Sequence, residues 1–300
     1  MARAVAMAVR RGNSYIGLGS RRRIFGRLAF ARLGLALLLG AFMLSAGRPA
    51  DAVEVLPHKA IYILHSRQVP GAEETVTAEG MLIFEWIDTC DGWSINQRAK
   101  LRLGGGDEDE EEAGFEWRQI TWESKDGRRY RYQSEEYRNG EKGDQRRGEA
   151  SVESSGKGAV TTALPTRGQH DLPAGVMLPT AHSLRLLQAA AAGEGFLSAN
   201  VFDGTVSDEP ITITAALGPG TLHWHDQDKQ FPALAKVQSR PVDLAFFLDA
   251  GPEGMPDFEQ SLQIYDNGVI GKMVFSFAGI PMEGELRQLD VSANEKCKAP

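Results

Sequence analysis

Few side chains in this 300-residue chain have the types and spacing that chemistry needs. His223 and His225 flank Trp224. Alternate residues of a strand share a face, so the two imidazoles are spaced to approach one metal ion. No third ligand stands near them, and a solvent-facing pair beside a loop accounts for them better. His182 falls in the first turn of an expected helix, beside Leu172-Pro173-Ala174-Gly175. It has the chemistry of a general base, but the sequence places no nucleophile beside it, and a structural hydrogen bond is the simpler role. Asp203-Gly204 after Phe202 is most economically a turn. Six consecutive acids, Asp107 to Glu112, lack the Gly and the distal Glu that converge on calcium in loop sites, and read as a solvated hairpin loop. No G-x-S-x-G elbow, phosphate-binding loop, H-E-x-x-H or dinucleotide fingerprint occurs. These observations name no catalytic residue, no cofactor-binding residue and no metal site.

The remaining reactive pair is Cys90 and Cys297, and its meaning depends on the compartment. Residues 1–52 read as a signal peptide. Arg3, Arg10, Arg11, Arg21 to Arg23, Arg27 and Arg32 form a basic leader, and Leu33 to Ala46 is an uncharged apolar run of 14 residues. Such a run suits a signal peptide and is short for a membrane span, which takes roughly 20 residues. Ala50-Asp51-Ala52 supplies a small-x-small cleavage site, so the chain is expected to be exported and cut after Ala52, leaving no stable membrane anchor. Arg22-Arg23-Ile24-Phe25 is compatible with twin-arginine export and the Leu-rich run with the general secretory route; both stay open. In a bacterial chain the destination is the periplasm. An even cysteine pair in an oxidising compartment is most simply a disulfide, two buried free thiols being the other reading. The cysteines stand 207 positions apart. A bond between them would stabilise the fold by up to roughly 5 kcal/mol in the chain-entropy account.

Cleavage also changes the charge. The leader holds 9 of the 33 Lys and Arg and 1 of the 40 Asp and Glu, which leaves 24 basic against 39 acidic residues and a net charge of −15. A surface of that sign repels phosphate backbones, so nucleic acid is excluded as a partner.

The elements that must carry these side chains are mostly strands. Period-2 alternation broken by turn residues predicts strands over 58–67, 76–88, 93–103, 115–124, 129–137, 149–153 and 158–163. Further strands are expected over 195–202, 211–217, 242–248, 258–265, 269–277 and 282–290. In the second strand Leu82, Phe84 and Trp86 share one face and Met81, Ile83 and Ile87 the other, which predicts cover on both sides. Cys90-Asp91-Gly92, Lys125-Asp126-Gly127 and Asp266-Asn267-Gly268 mark tight turns. Residues 164–178 read as a crossing loop. Thr180 to Ala192 is the one expected helix, started by Pro179 and ended at Gly193, with Leu184, Leu187 and Ala191 on one stripe. The fold class is therefore mainly β: a long antiparallel meander curled into a barrel-like roll, with one α-helix closing it. No internal repeat and no dividing linker is visible, so residues 53–300 are expected to form a single domain. The strand aromatics Phe84, Trp86, Trp93, Trp117, Trp122, Phe246, Phe247, Phe275 and Phe277 are expected to be core or the lining of a lumen.

Several stretches carry a family resemblance. They are Leu56-Pro57-His58-Lys59-Ala60-Ile61-Tyr62, Asp88-Thr89-Cys90-Asp91-Gly92-Trp93, Thr121-Trp122-Glu123-Ser124 with Asp126-Gly127, and Leu172-Pro173-Ala174-Gly175 with Leu178-Pro179-Thr180-Ala181-His182. Val201-Phe202-Asp203-Gly204, Leu244-Ala245-Phe246-Phe247, Asp266-Asn267-Gly268-Val269 and Cys297 complete the set. With these residues the chain from Leu56 to Cys297 resembles the cell-envelope integrity protein B family of alphaproteobacteria. Leu178 departs from it, standing where an aromatic is expected, and the acidic run is a second departure. The resemblance implies a periplasmic β-spiral, or broken barrel, closed by one helix, with a disulfide joining Cys90 and Cys297. It also implies a role in envelope integrity without enzymatic activity. Such a bond would tie the C-terminal tail to the start of the sheet and hold the ends of an unclosed spiral in register. The expected partner is a periplasmic protein, a peptide or a lipid-like molecule. A carrier of a hydrophobic ligand in the lumen, and a hydrolase built on His182, are the other two readings.

Overall fold

Alternation of buried and exposed residues along successive segments builds one sheet. A computed structural model describes residues 53–67, 77–104, 113–205, 207–222, 230–248 and 254–292. Its strands are β1 (His58–Ser66), β2 (Thr77–Asp88), β3 (Gly92–Gly104), β4 (Ala113–Ser124), β5 (Arg129–Arg138), β6 (Glu141–Val152), β7 (Gly158–Leu164) and β8 (Gly168–Leu172). After the helix α1 (Pro179–Ala191) come β9 (Phe196–Val201), β10 (Ile211–Leu217), β11 (Ser239–Phe247), β12 (Phe258–Tyr265), β13 (Ile270–Phe277) and β14 (Ile280–Val291). All fourteen lie in one antiparallel sheet of order β8-β7-β6-β5-β4-β3-β2-β1-β14-β13-β12-β11-β10-β9. The meander thus runs outward twice, from β1 to β8 and from β14 back to β9, and the two halves join where β1 pairs with β14.

The sheet does not close on itself, because β8 and β9 are not paired. Between them the chain leading into α1 makes one parallel bridge: the Met177 N–H donates to Asn200 O (2.8 Å) and the Phe202 N–H to Met177 O (3.0 Å). The expected loop over 164–178 therefore contains a strand, β8, and this bridge. Gly168-Gln169-His170-Asp171-Leu172 has no apolar alternation, so only its pairing with β7 makes it a strand. For the same reason β6 begins at Glu141 rather than near Glu149: the polar stretch Glu141–Arg147 is held by the β5 ladder.

Two further expectations are corrected. In β2, Leu82 and Trp86 are buried, but Met81 is 37% exposed, and Ile63 beside it on β1 is 41% exposed. Ile83 and Ile87 on the same face are half-buried, so the curl of the sheet brings full cover only to its inside. In α1 the buried residues are Thr180, His182, Leu186, Leu187, Ala189 and Ala190. Ala191 is exposed, since the helix sits deeper against the sheet on its Leu186 side than helical periodicity alone implied.

The main core runs from Tyr62, Leu64 and Trp86 through Leu186 and Leu187 to Tyr265, Phe275, Phe277 and Met282. A second core, built from Tyr130, Tyr132, Leu172, Leu178 and Phe202, lies where β5 to β8 meet α1 and β9. The Tyr130 and Tyr132 rings stack at 5.6 Å.

Candidate functional site: the lumen beneath the helix

The curled sheet encloses a cavity of about 370 Å³. Leu82, Phe84 and Trp86 enter it from β2, Trp117, Gln119 and Thr121 from β4, and Leu244, Phe246 and Phe275 from the other half of the sheet. The first turn of α1 lines it with Pro179, Thr180, His182 and Ser183. A strand presents every second side chain to one face, so the alternation that marks the strands also places these residues inside. Of the expected aromatics, Phe84, Trp86, Trp117, Phe246 and Phe275 line the lumen. Phe277 packs instead on Phe115 (4.8 Å) in the core. Trp93 and Trp122 carry cations: Lys125 lies 3.0 Å from the Trp93 ring and Arg131 4.5 Å from Trp122.

The lumen wall bears little charge. Among the described lining residues there is no Lys or Arg, and Asp203 is the one acid. The Asp203 carboxylate accepts from the Thr205 N–H (3.1 Å) and the Thr205 hydroxyl, and its backbone carbonyl accepts from the Tyr130 hydroxyl (2.9 Å). Asp203-Gly204 is thus the expected turn, with Gly204 at φ +69°. A Cβ on Gly204 would stand 2.6 Å from the Tyr132 ring, so glycine there serves close packing as well as conformation.

His182 does not make the structural bond expected of it. Its ring is 7% exposed and Nε2 has no hydrogen-bond partner. Burial lowers its pKa to about 4, so the ring is neutral at physiological pH. Trp86 Nε1 is likewise buried and unpartnered. Tyr62, Trp86 and His182 line the cavity, and each carries a buried polar side-chain atom without a hydrogen-bond partner.

Sequence reasoning passed over the groups that hold α1 in place. Glu123, 1% exposed at the end of β4, accepts hydrogen bonds from the Thr180 N–H (2.7 Å) and the Ala181 N–H (2.8 Å). The first turn of a helix leaves such donors unpaired, and its dipole favours an acid there. Burial nevertheless outweighs these bonds and pushes the Glu123 pKa up to about 7. At the other end Arg240 donates to Ala190 O (2.6 Å) and to Asp266 (2.7 Å). Both ends of the helix are thus bound to the sheet by buried charged side chains. The Glu in Thr121-Trp122-Glu123-Ser124 was visible as part of a resemblance, but no local signal tied it to a helix 57 residues on.

Cys90 sits in the β2–β3 turn at φ +69°, with its N–H donated to Asp88 (2.8 Å). Cys297, the acidic run Asp107 to Glu112, His223 and His225, and the signal peptide over 1–52 lie outside the described residues. Among the described residues no group of His, Cys, Asp or Glu is arranged to hold a metal ion. No helix among them is long and apolar enough to cross a membrane.

An unclosed antiparallel β-roll around a largely apolar lumen, with one helix fastened at both ends to the sheet, defines a β-barrel-like fold with an internal cavity. The chain belongs to the EipB-like family, whose sequence pattern matches residues 49–293. It is 28% identical to the cell envelope integrity protein EipB of Brucella abortus (strain 2308) over 278 residues, 91% of this chain and 98% of that protein. It also resembles the crystal structure of a β-barrel-like protein, a domain of unknown function from Brucella abortus, with a TM-score of 0.73 and 27% identity. That likeness covers 81% of this chain and all of the other. The family and the fold class read from the sequence agree with these relations.

Proposed function

We propose that this protein is exported to the periplasm and supports the integrity of the cell envelope as a non-catalytic binding factor. The observation that carries the reading is the relation to the Brucella abortus envelope-integrity protein across nearly the whole of both chains. The site geometry agrees with binding rather than turnover. His182 has no acid to orient it and no hydroxyl to activate at its buried Nε2, whereas a general base needs such partners within hydrogen-bond reach. The partner is a periplasmic protein, a peptide or a lipid-like molecule. The lumen favours the last of these, because its volume falls at the low end of small-molecule sites, roughly 300–1,000 Å³.

Deleting the gene from its host should raise sensitivity to detergents and cell-wall antibiotics, and expression of the full chain from a plasmid should restore resistance. A deletion strain as resistant as the parent would count against the role.

A further inference from the structure

We propose that the outer face of β4, β5 and β6 docks on the surface of an anionic phospholipid bilayer, with Arg129, Arg131 and Arg147 meeting the phosphate groups and Ile120 entering the headgroup region. The proposal goes beyond the envelope role, stands on residues outside the lumen, and does not depend on what the lumen holds.

Residues 53–300 carry 24 basic and 39 acidic side chains, a net charge of −15, so an anionic surface repels the protein in most orientations. Contact with such a surface is confined to a face whose cations are free. On β3 and β4 several cations are neutralised: Arg98 and Arg118 pair with Glu116, and Arg102 pairs with Glu79. Further along the same outer face Arg129, Arg131 and Arg147 are exposed, and none of them forms an ion pair among the described residues. Strand register brings them together with two apolar side chains. Trp122 stands opposite Arg131, and Ile120 opposite Gln133, which in turn faces Arg147. With Thr161 of β7 these residues line a shallow groove of about 560 Å³, and Glu149 is the one acid on its described wall.

Two of the arginines are held in place by the indole. The Arg131 guanidinium lies 4.5 Å from the Trp122 ring centre and that of Arg129 5.6 Å. The ring is itself fixed, because its Nε1–H donates to the Thr89 hydroxyl (3.1 Å). A guanidinium stacked on a ring keeps its in-plane N–H groups for a phosphate oxygen and loses less freedom when it binds one. Ile120, 58% exposed, supplies an apolar side chain beside these cations. An acidic peptide fits this place less well. The patch lies in the middle of the sheet, where β4 to β7 pair with one another, so a peptide has no free strand edge to extend. A bilayer surface needs side chains alone: cations for its phosphates and an apolar group for the interface.

The test is co-sedimentation of the protein exported from the full-length chain with vesicles of phosphatidylcholine alone or with about one-third phosphatidylglycerol. The anionic vesicles should bind at least about tenfold more tightly, and high salt should remove the difference. Arg129→Gln, Arg131→Gln and Arg147→Gln should each weaken binding about fivefold, and the triple variant should bind both vesicles alike. Glu149→Gln should strengthen binding about fivefold, and Ile120→Ser should weaken it about threefold. Arg102→Gln, an equal loss of charge away from the groove, should leave binding within twofold of the parent. All six side chains are exposed, so urea unfolding should show the variants folded as the parent is. Equal binding to both vesicles, binding kept by the triple variant, or a loss in Arg102→Gln as large as in Arg131→Gln would overturn the proposal. Soluble polyglutamate bound at the groove by a protein that leaves the vesicles in solution would assign the face to an acidic protein and overturn it as well.

Discussion

His182 is the residue whose sequence context and actual setting differ most. A histidine in the first turn of a helix is ordinarily half-exposed and titrates near 6.5. Here it is buried against the lumen, with a pKa lowered to about 4. The consequence for stability has a definite sign. Between pH 6.5 and about 4 the unfolded chain takes up a proton that the folded ring refuses, so the folded state loses stability as the pH falls through that window and keeps it in full above. His58, also lowered by burial, acts in the same direction. Replacing His182 by Gln should flatten the acid-side decline by on the order of 2 kcal/mol at pH 4.5 relative to pH 7.5. Urea unfolding at the two pH values measures it, and equal declines for variant and parent would show that the ring is solvated.

Helix α1 is fastened to the sheet by Glu123 at its first turn and Arg240 at its last. Glu123→Ala leaves two backbone donors unpaired in a buried place and should cost about 2–3 kcal/mol in denaturant unfolding. Glu123→Gln keeps an acceptor and should cost about 1 kcal/mol. The two substitutions also separate charge from hydrogen bonding. The Glu123 pKa is raised, so its contribution is complete below the ordinary carboxylate range and is lost as the pH rises through about 7. Glu123→Gln should remove that part of the decline in stability between pH 5 and 8, and a decline unchanged in the Gln variant would mean that Glu123 is ionised throughout. Strands with clean alternation, such as β13 with its strict in–out burial pattern, were legible from sequence to within a residue. β8 and the first half of β6 were not, because their residues are polar and their strand geometry is imposed by the neighbours that pair with them.

At the scale of the whole molecule the question is what the cysteine pair would hold together. The proposed bond would not join the free edges of the spiral, because those edges are β8 and β9. Cys90 follows β2, and Cys297 lies six residues past Val291, the end of β14. β2 and β14 flank β1, with His58 opposite both Trp86 and Val291. Two strand spacings are about 10 Å, and six extended residues span up to about 20 Å, so the tail can reach. No described cysteine is a free thiol. A bond there would staple the seam where the two halves of the chain meet, while the β8–β9 gap is left to α1 and the Met177 bridge. Cys90→Ser and Cys297→Ser should lower the melting temperature equally, and the double variant should be no worse than either single one. Unequal or additive losses, or free thiols in a non-reducing peptide map of the exported protein, would refute the pairing.

By itself the sequence determined the strands with alternating cores, the three tight turns, the helix and its start at Pro179, and the family. Each of these follows from local periodicity or turn chemistry within a few residues. Tertiary structure alone decided which face of β2 is the less covered, that a polar segment becomes β8, that Glu123 and Arg240 clamp the helix, and that Trp86 and His182 line one cavity. Those outcomes depend on contacts between residues far apart in the chain. The curl of a fourteen-stranded sheet brings such residues together, and no local pattern encodes how tightly it curls.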